Sequence, residues 1–138
     1  MLKRITSPTV LTGCLAALWT LLICYLMLSP GSGTVADDVS QAFGGTELSD
    51  SLGHAALAFI ETLLLSAAFR PLFSGRRTLW AAAAFTLALT AALELAQRGI
   101  PDRSASPLDV AVNALGVALC VVFVYLSGFY ASRPANPA

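Results

Sequence analysis

Apolar residues fall into four long runs that are separated by shorter polar segments. The runs cover residues 10–28, 52–69, 79–95 and 108–126. Each is close to the ~20 residues that an α-helix needs to cross the hydrocarbon core of a bilayer. The pattern therefore predicts an all-α protein, a four-helix transmembrane bundle that forms a single domain over residues 1–138.

The polar segments predict how the helices are connected. Residues 29–51 are rich in Gly and Ser and predict one longer outer loop between helices 1 and 2, with a short interfacial helix at 35–43. Trp80 is a predicted interfacial anchor of helix 3, and Tyr125, Phe129 and Tyr130 suit an aromatic belt at the interface where helix 4 ends. Residues 131–138 are rich in Pro and Ala and predict a disordered tail.

Basic residues indicate the orientation, because short cytoplasmic loops carry an excess of Lys and Arg. With the N-terminus inside, the cytoplasmic side receives six of the eight basic residues: Lys3, Arg4, Arg70, Arg76, Arg77 and Arg133. The outer side receives Arg98 and Arg103, together with every acidic residue except Glu61. We therefore expect both termini to be cytoplasmic in a multi-pass protein of the cell inner (cytoplasmic) membrane.

Composition agrees with a lipid environment. Hydrophobic residues make up 57% of the chain and charged residues 12%, whereas a soluble domain has roughly 25% charged residues. Membrane lipids are thus the expected partners, and a net charge of zero argues against nucleic acid, whose binding needs a basic surface. Cys14, Cys24 and Cys120 lie inside apolar runs, without the spacing of disulfide or metal-binding motifs.

Helical periodicity places polar side chains on one face of each of three helices. Helix 2 carries Asp50, His54 and Glu61, helix 3 carries Glu94, Gln97 and Arg98, and helix 4 carries Asp109, Asn113 and Gly116. Except for Glu61, these residues belong to the outer end of the bundle. Because a charged group facing lipid is costly, we expect the three faces to converge on one outward-opening pocket.

Structural roles for these residues remain open alternatives. Asp109 follows a Ser-Pro-Leu sequence that is typical of a helix start, so it could simply cap helix 4. Glu94 and Arg98 are four residues apart and could neutralise each other. Asn113 and Gly116 could serve helix packing alone.

Two further interpretations concern the titratable residues. His54 could simply be hydrated near the interface, whereas Glu61 is a functional candidate because an acid in the middle of a membrane span is costly. Metal ligation by His54, Glu94 and Asp109 is a minor alternative, because no HExxH or paired-Cys spacing supports it. We predict neither a metal nor a cofactor.

The spacing of these polar residues resembles that of the VanZ-like family. The resemblance is carried by Glu94, Gln97, Arg103, Asp109, Asn113 and Gly116, and by Asp50, His54 and Phe59 in the preceding helix. It covers roughly residues 50–120, three of the four helices. The chain departs from the family pattern at Ser51, Asp102 and Cys120, and at Glu61, where the family is usually apolar.

The resemblance implies a small bacterial membrane protein of about four helices. The family takes its name from a member linked to resistance to the glycopeptide teicoplanin. The pocket residues that the resemblance implies here are Asp50, His54, Glu94, Gln97, Arg103, Asp109 and Asn113.

Three functional hypotheses follow. The first is a ligand-binding protein of the cell envelope whose pocket holds a lipid-linked cell-wall precursor or a phospholipid headgroup, with Arg98 and Arg103 meeting phosphate. The second is a membrane-embedded hydrolase in which His54 and Glu94 act as acid and base, with Asp109 as a third catalytic candidate. The third is a structural or assembly subunit that binds no ligand.

Overall fold

The computed structural model describes residues 8–30, 32–42, 44–101, 103 and 106–128. Within these residues the chain is helical, without a strand, and its helices are α1 (Pro8–Leu28), α2 (Val35–Ala42), α3 (Glu47–Ala68), α4 (Arg76–Gln97) and α5 (Pro107–Leu126). Four of these helices, α1, α3, α4 and α5, are long and apolar enough to cross a membrane. The predicted all-α architecture with four candidate spans is confirmed.

The start of α3 was wrongly predicted. The helix begins at Glu47 rather than at residue 52, because a capping box stabilises its first turn. The Thr46 hydroxyl accepts from Ser49 N at 3.2 Å, and the Ser49 hydroxyl accepts from Thr46 N at 2.9 Å. Asp50, which is predicted to lie on the polar face of this helix, therefore lies in its first turn.

The other helix ends deviate less. Polar residues extend α4 at both ends of the predicted span, to Arg76 and Gln97, and prolines add the first residues of α1 and α5. Phe69 caps the end of α3 instead of belonging to it. The short helix predicted inside the loop is present as α2, whereas the predicted tail at 131–138 lies outside the described residues.

The bundle is organised around α3, which packs against α1, α4 and α5. Small side chains lie in its contacts: Ala58 and Ala82 are fully buried. Gly116 lies against the backbone of Ala55, and a Cβ at position 116 would collide with that backbone. Small residues let transmembrane helices approach closely, which is how they associate where lipid provides no hydrophobic driving force.

Contacts at both ends of the bundle show that successive spanning helices are antiparallel. At one end the Arg76 guanidinium carbon lies 4.8 Å from the centre of the Tyr125 ring, which brings the start of α4 beside the end of α5. At the other end Gln97 contacts Met27, so α4 and α1 end side by side. We call this second end, where α1 and α4 end and α3 and α5 begin, the polar end.

The outside of the bundle is apolar. Large hydrophobic side chains are exposed on every spanning helix, for example Leu18, Leu52, Phe85 and Leu119. Hydroxyl groups lie inside instead: Thr62 is fully buried and donates to the Ala58 carbonyl at 2.8 Å. Apolar residues outside and internally bonded polar groups inside are the arrangement that a lipid solvent requires.

Candidate functional site

An open groove lies between α4 and α5 at the polar end. Its volume is about 420 Å³. It is lined by Ala91, Glu94, Leu95, Arg98, Ser106, Pro107 and Val110, and we call it the α4–α5 groove. All seven predicted pocket residues lie in the described part of the chain, and among them Glu94 alone lines this groove.

Glu94 is the buried acid of the groove, with 3% of its surface exposed. The chain turns back after α4, so that the carboxylate of Glu94 lies beside the start of α5. Oε1 accepts a hydrogen bond from the backbone N–H of Ser106 at 2.6 Å. The positive end of the α5 dipole favours a negative group at this position.

The second oxygen of Glu94 is not satisfied. Oε2 is buried and has no hydrogen-bond partner among the described residues. A buried acceptor without a donor costs free energy, so this oxygen is a place where a donor group would be stabilised. Glu94 therefore combines a fixed position with an unused acceptor at the wall of a groove.

Arg98 lines the same groove and is exposed. Although it follows Glu94 by one helical turn, no ion pair within 4.0 Å joins these two described residues. The alternative that Glu94 and Arg98 merely neutralise each other is therefore not what the structure contains. The groove keeps an acidic wall and a separate basic group.

His54 and Asn113 form a second polar contact, between α3 and α5. Both are buried, at 7% and 2% exposure, and Asn113 Nδ2 lies 3.5 Å from His54 Nδ1. With the amide as donor, Nδ1 accepts and the ring proton is on Nε2, which faces Asp50 Oδ2 at 4.0 Å. The close approach at Gly116, one turn along α5, brings these side chains into reach. The predicted convergence of the two helix faces is present at this contact.

Gln97 and Arg103 bind the end of α1. Gln97 Nε2 donates to the Met27 carbonyl at 2.8 Å. Arg103 donates from Nε to the Ser29 carbonyl and from Nη2 to the Leu26 carbonyl, each at 3.2 Å. The last carbonyls of a helix have no partner within it, so both side chains cap α1.

Asp109 stands apart from these contacts. It is partly exposed in the first turn of α5, and its carboxylate makes no hydrogen bond or ion pair with another described residue. The helix-start pattern noted in the sequence is present: Ser106 is the N-cap, its hydroxyl accepts from Leu108 N at 3.1 Å, and Pro107 is the first helical residue. Asp109 adds negative charge where the helix dipole favours it.

The three catalytic candidates are not assembled into one centre. No hydrogen bond joins His54 to Glu94, because His54 faces Asn113 and Glu94 faces Ser106. Among the described side chains, no group of three or more His, Cys, Asp or Glu could hold a metal ion. The expectation that these residues share a single pocket was therefore wrong: Glu94 lines the α4–α5 groove, whereas His54 is engaged with Asn113 between α3 and α5.

Some groups that take part in these contacts could not be predicted from the sequence. The backbone N–H of Ser106 and the carbonyls of α1 carry no side-chain signature, so no pattern indicates them. The apolar wall of the groove consists of Ala91, Leu95 and Val110. The sequence indicates two of them by position, because Ala91 lies one helical turn before Glu94 and Leu95 directly follows it. Thr20 contacts Glu61. In the sequence it is only a polar residue within an apolar run, so nothing indicates this contact.

Comparison with known proteins adds no relative from which a role could be transferred. No protein-family model matches the chain, and the searches of curated proteins and of solved structures likewise gave no match. The chemistry of the site therefore rests on its own geometry.

Proposed function

We propose that this chain is a VanZ-like protein of the cytoplasmic membrane whose α4–α5 groove binds the phosphate-bearing polar part of an envelope lipid. The observation that carries the proposal is Glu94: a buried carboxylate, fixed by Ser106, with one oxygen unpartnered among the described residues at the wall of an open groove.

The lining of the groove suits an amphipathic ligand. Leu95 and Val110 are exposed apolar residues of the wall, and they would contact an acyl or isoprenoid chain. Arg98 would pair with phosphate, because a guanidinium matches phosphate oxygens with parallel N–H donors. A small rotation of the Glu94 side chain would expose its unpartnered oxygen to a hydroxyl or ammonium group of the same head.

Only part of the predicted ligand set supports this role. Gln97 and Arg103 are engaged by α1, and Asn113 by His54. We therefore assign phosphate recognition to Arg98 and leave the other three as residues that shape the polar end. A structural protein without a ligand would also have these internal hydrogen bonds. The groove is therefore the feature that favours ligand binding over a purely structural role.

The side of the membrane follows from charge. The polar end carries Glu94 and Asp109, and the opposite end carries Arg70, Arg76 and Arg77. The positive-inside rule then directs the groove to the outer face, with both termini cytoplasmic. A lipid-linked cell-wall precursor and an ordinary phospholipid both present phosphate there.

Retained lipid measures the binding directly. We would place the purified protein in nanodiscs of phosphatidylethanolamine and phosphatidylglycerol, add undecaprenyl pyrophosphate, and record bound lipids by native mass spectrometry. Arg98→Gln should weaken retention, since a hydrogen bond to a charged group contributes about 1.5–3 kcal/mol. Arg77→Gln, at the opposite end of α4, is the matched control. Equal retention by the two variants would reject the groove as a phosphate site.

Glu94→Gln tests the other half of the site. The amide oxygen of this variant can still accept from Ser106 N, so the contact between α4 and the start of α5 is kept. An NH₂ group replaces the carboxylate oxygen that has no partner. We expect normal membrane abundance and reduced retention of lipids whose heads donate hydrogen bonds.

Cells expressing the wild type, Glu94→Gln or Arg98→Gln at matched abundance would then be compared for teicoplanin sensitivity. Identical sensitivity of all three, and of cells without the protein, would remove the proposed link to glycopeptide resistance.

A further inference from the structure

Glu61 lies far inside the bundle and takes no part in the α4–α5 groove. It is fully buried, and it precedes the end of α3 by about two turns, or about 10 Å along the axis. Its Oε1 is 2.7 Å from Thr20 Oγ1 of α1, and its Oε2 is buried without a hydrogen-bond partner among the described residues.

The surroundings of Glu61 offer no compensating positive charge. The titratable or charged side chains on the neighbouring helices are Cys14, Cys24 and Tyr25 of α1, Arg76, Arg77 and Glu94 of α4, and Asp109, Cys120 and Tyr125 of α5. Its own helix adds Glu47, Asp50 and His54 near the polar end. Within the described residues, no ion pair joins Glu61 to a basic group. An isolated buried carboxylate is very unfavourable and is neutralised by a proton instead.

The hydrogen bonds of Thr20 also fit a proton on the acid. Thr20 Oγ1 lies 2.9 Å from the Ala16 carbonyl and 2.7 Å from Glu61 Oε1. A hydroxyl has a single proton to donate. When Thr20 donates to Ala16, as helical Thr side chains do with the carbonyl four residues earlier, the short contact with Glu61 needs a proton on Oε1.

Helix α1 is the element that this contact holds. It is the least buried of the four spanning helices. Next to Thr20, Trp19 Nε1 donates to the Leu57 carbonyl of α3 at 3.3 Å. Both contacts connect the middle of α1 to the same stretch of α3, so the protonation state of Glu61 bears directly on how α1 is attached.

We propose that Glu61 and Thr20 form a proton-binding site inside the membrane, at which the protonated carboxyl group fastens α1 to α3. Loss of the proton to water leaves one negative charge in the bundle, and α1 must move for water to reach that charge. A proton fits better than a metal cation, because Thr20, Ala16 and Glu61 supply too few oxygens for the six or so that such ions take.

Infrared spectroscopy tests the protonation itself. A protonated carboxyl group has a C=O stretching band distinct from that of a carboxylate, and Glu61→Gln removes it while keeping a neutral group of the same shape. We expect the wild type in lipid at neutral pH to show one acid band that the variant lacks. The absence of a Glu61-dependent acid band would overturn the proposal, as would its loss on adding sodium at constant pH.

Trp19 reports the attachment of α1. The chain has two Trp residues, so Trp80→Phe leaves Trp19 as the sole tryptophan, which can be excited selectively over tyrosine. On raising the pH, we expect its emission to shift to longer wavelength as Glu61 loses its proton, and Glu61→Gln in the same background to abolish that shift. The same response in both proteins would show that Glu61 does not control the contact between α1 and α3.

Discussion

Gly116→Ala tests the helix contact that builds the polar end. A Cβ at position 116 would overlap the carbonyl group and Cα of Ala55, which are backbone atoms and cannot move aside as a flexible side chain would. Overpacking a well-packed contact costs typically about 1–3 kcal/mol, and a backbone obstacle places this case in the upper half of that range.

The helix propensity of alanine offsets part of this cost. Replacing Gly by Ala inside a helix contributes about 0.5–1 kcal/mol of stability. The expected net destabilisation by Gly116→Ala is therefore about 1–2.5 kcal/mol, equivalent to a factor of about 5–70 in the ratio of folded to unfolded protein. His54 and Asn113 should separate as well, since they lie beside the same contact.

Gly53→Ala is the matched control. Gly53 lies in α3, and a Cβ there would meet nothing within 4 Å, so the same substitution should leave stability unchanged or raise it slightly. Reversible unfolding in mixed micelles, followed by circular dichroism, measures both variants. Equal stability of Gly116→Ala and Gly53→Ala would contradict this prediction, because the α3–α5 contact would then not be as close as described.

Three further substitutions probe the contacts between helices. Thr20→Val removes the hydrogen bond to Glu61, and such bonds contribute about 0.6 kcal/mol on average inside membranes; unfolding in micelles should show a loss of this order. Arg103→Gln gives up the two-carbonyl cap of α1, so amide hydrogen exchange should quicken at the end of α1 and stay constant in α5. Arg76→Gln removes the cation–π contact with Tyr125, a loss of about 0.5–1 kcal/mol at an exposed site.

Each of these has an outcome that contradicts it. Thr12→Val is the control for Thr20→Val, because the Thr12 hydroxyl bonds to carbonyls of its own helix. An equal loss of stability in both variants would show that the hydrogen bond to Glu61 contributes no stability. Faster exchange throughout the bundle of Arg103→Gln would indicate general unfolding instead of a lost cap. Unchanged stability of Arg76→Gln would remove Tyr125 as its partner.

The helical architecture could be predicted because lipid imposes it. A span must satisfy its own backbone in hydrocarbon, so long apolar runs have few alternatives to helix. Boundaries were less predictable where the end of a helix is polar. The first turn of α3 at Glu47 is polar, and only the cap formed by Thr46 and Ser49 marks it.

The candidate site could be predicted only in part. The cost of unpaired polar groups in lipid predicted that polar helix faces would converge, and His54 and Asn113 meet in this way, although Glu94 and Asp109 do not join them. It could not indicate that Glu94 and Gln97 would bind backbone groups, because every residue has an N–H and a carbonyl. The VanZ-like resemblance, the orientation in the membrane and the link to glycopeptides stay predictions.

Photocrosslinking in living membranes is the most direct test of the central claim that the α4–α5 groove holds a phosphate-bearing lipid. A photoreactive phenylalanine analogue would replace Leu95, which lines the groove, or Leu119, an exposed residue of α5 that does not. We expect position 95 to capture one phosphate-bearing lipid in excess and position 119 to capture bulk lipid. The same lipids in the same proportions at both positions would contradict it.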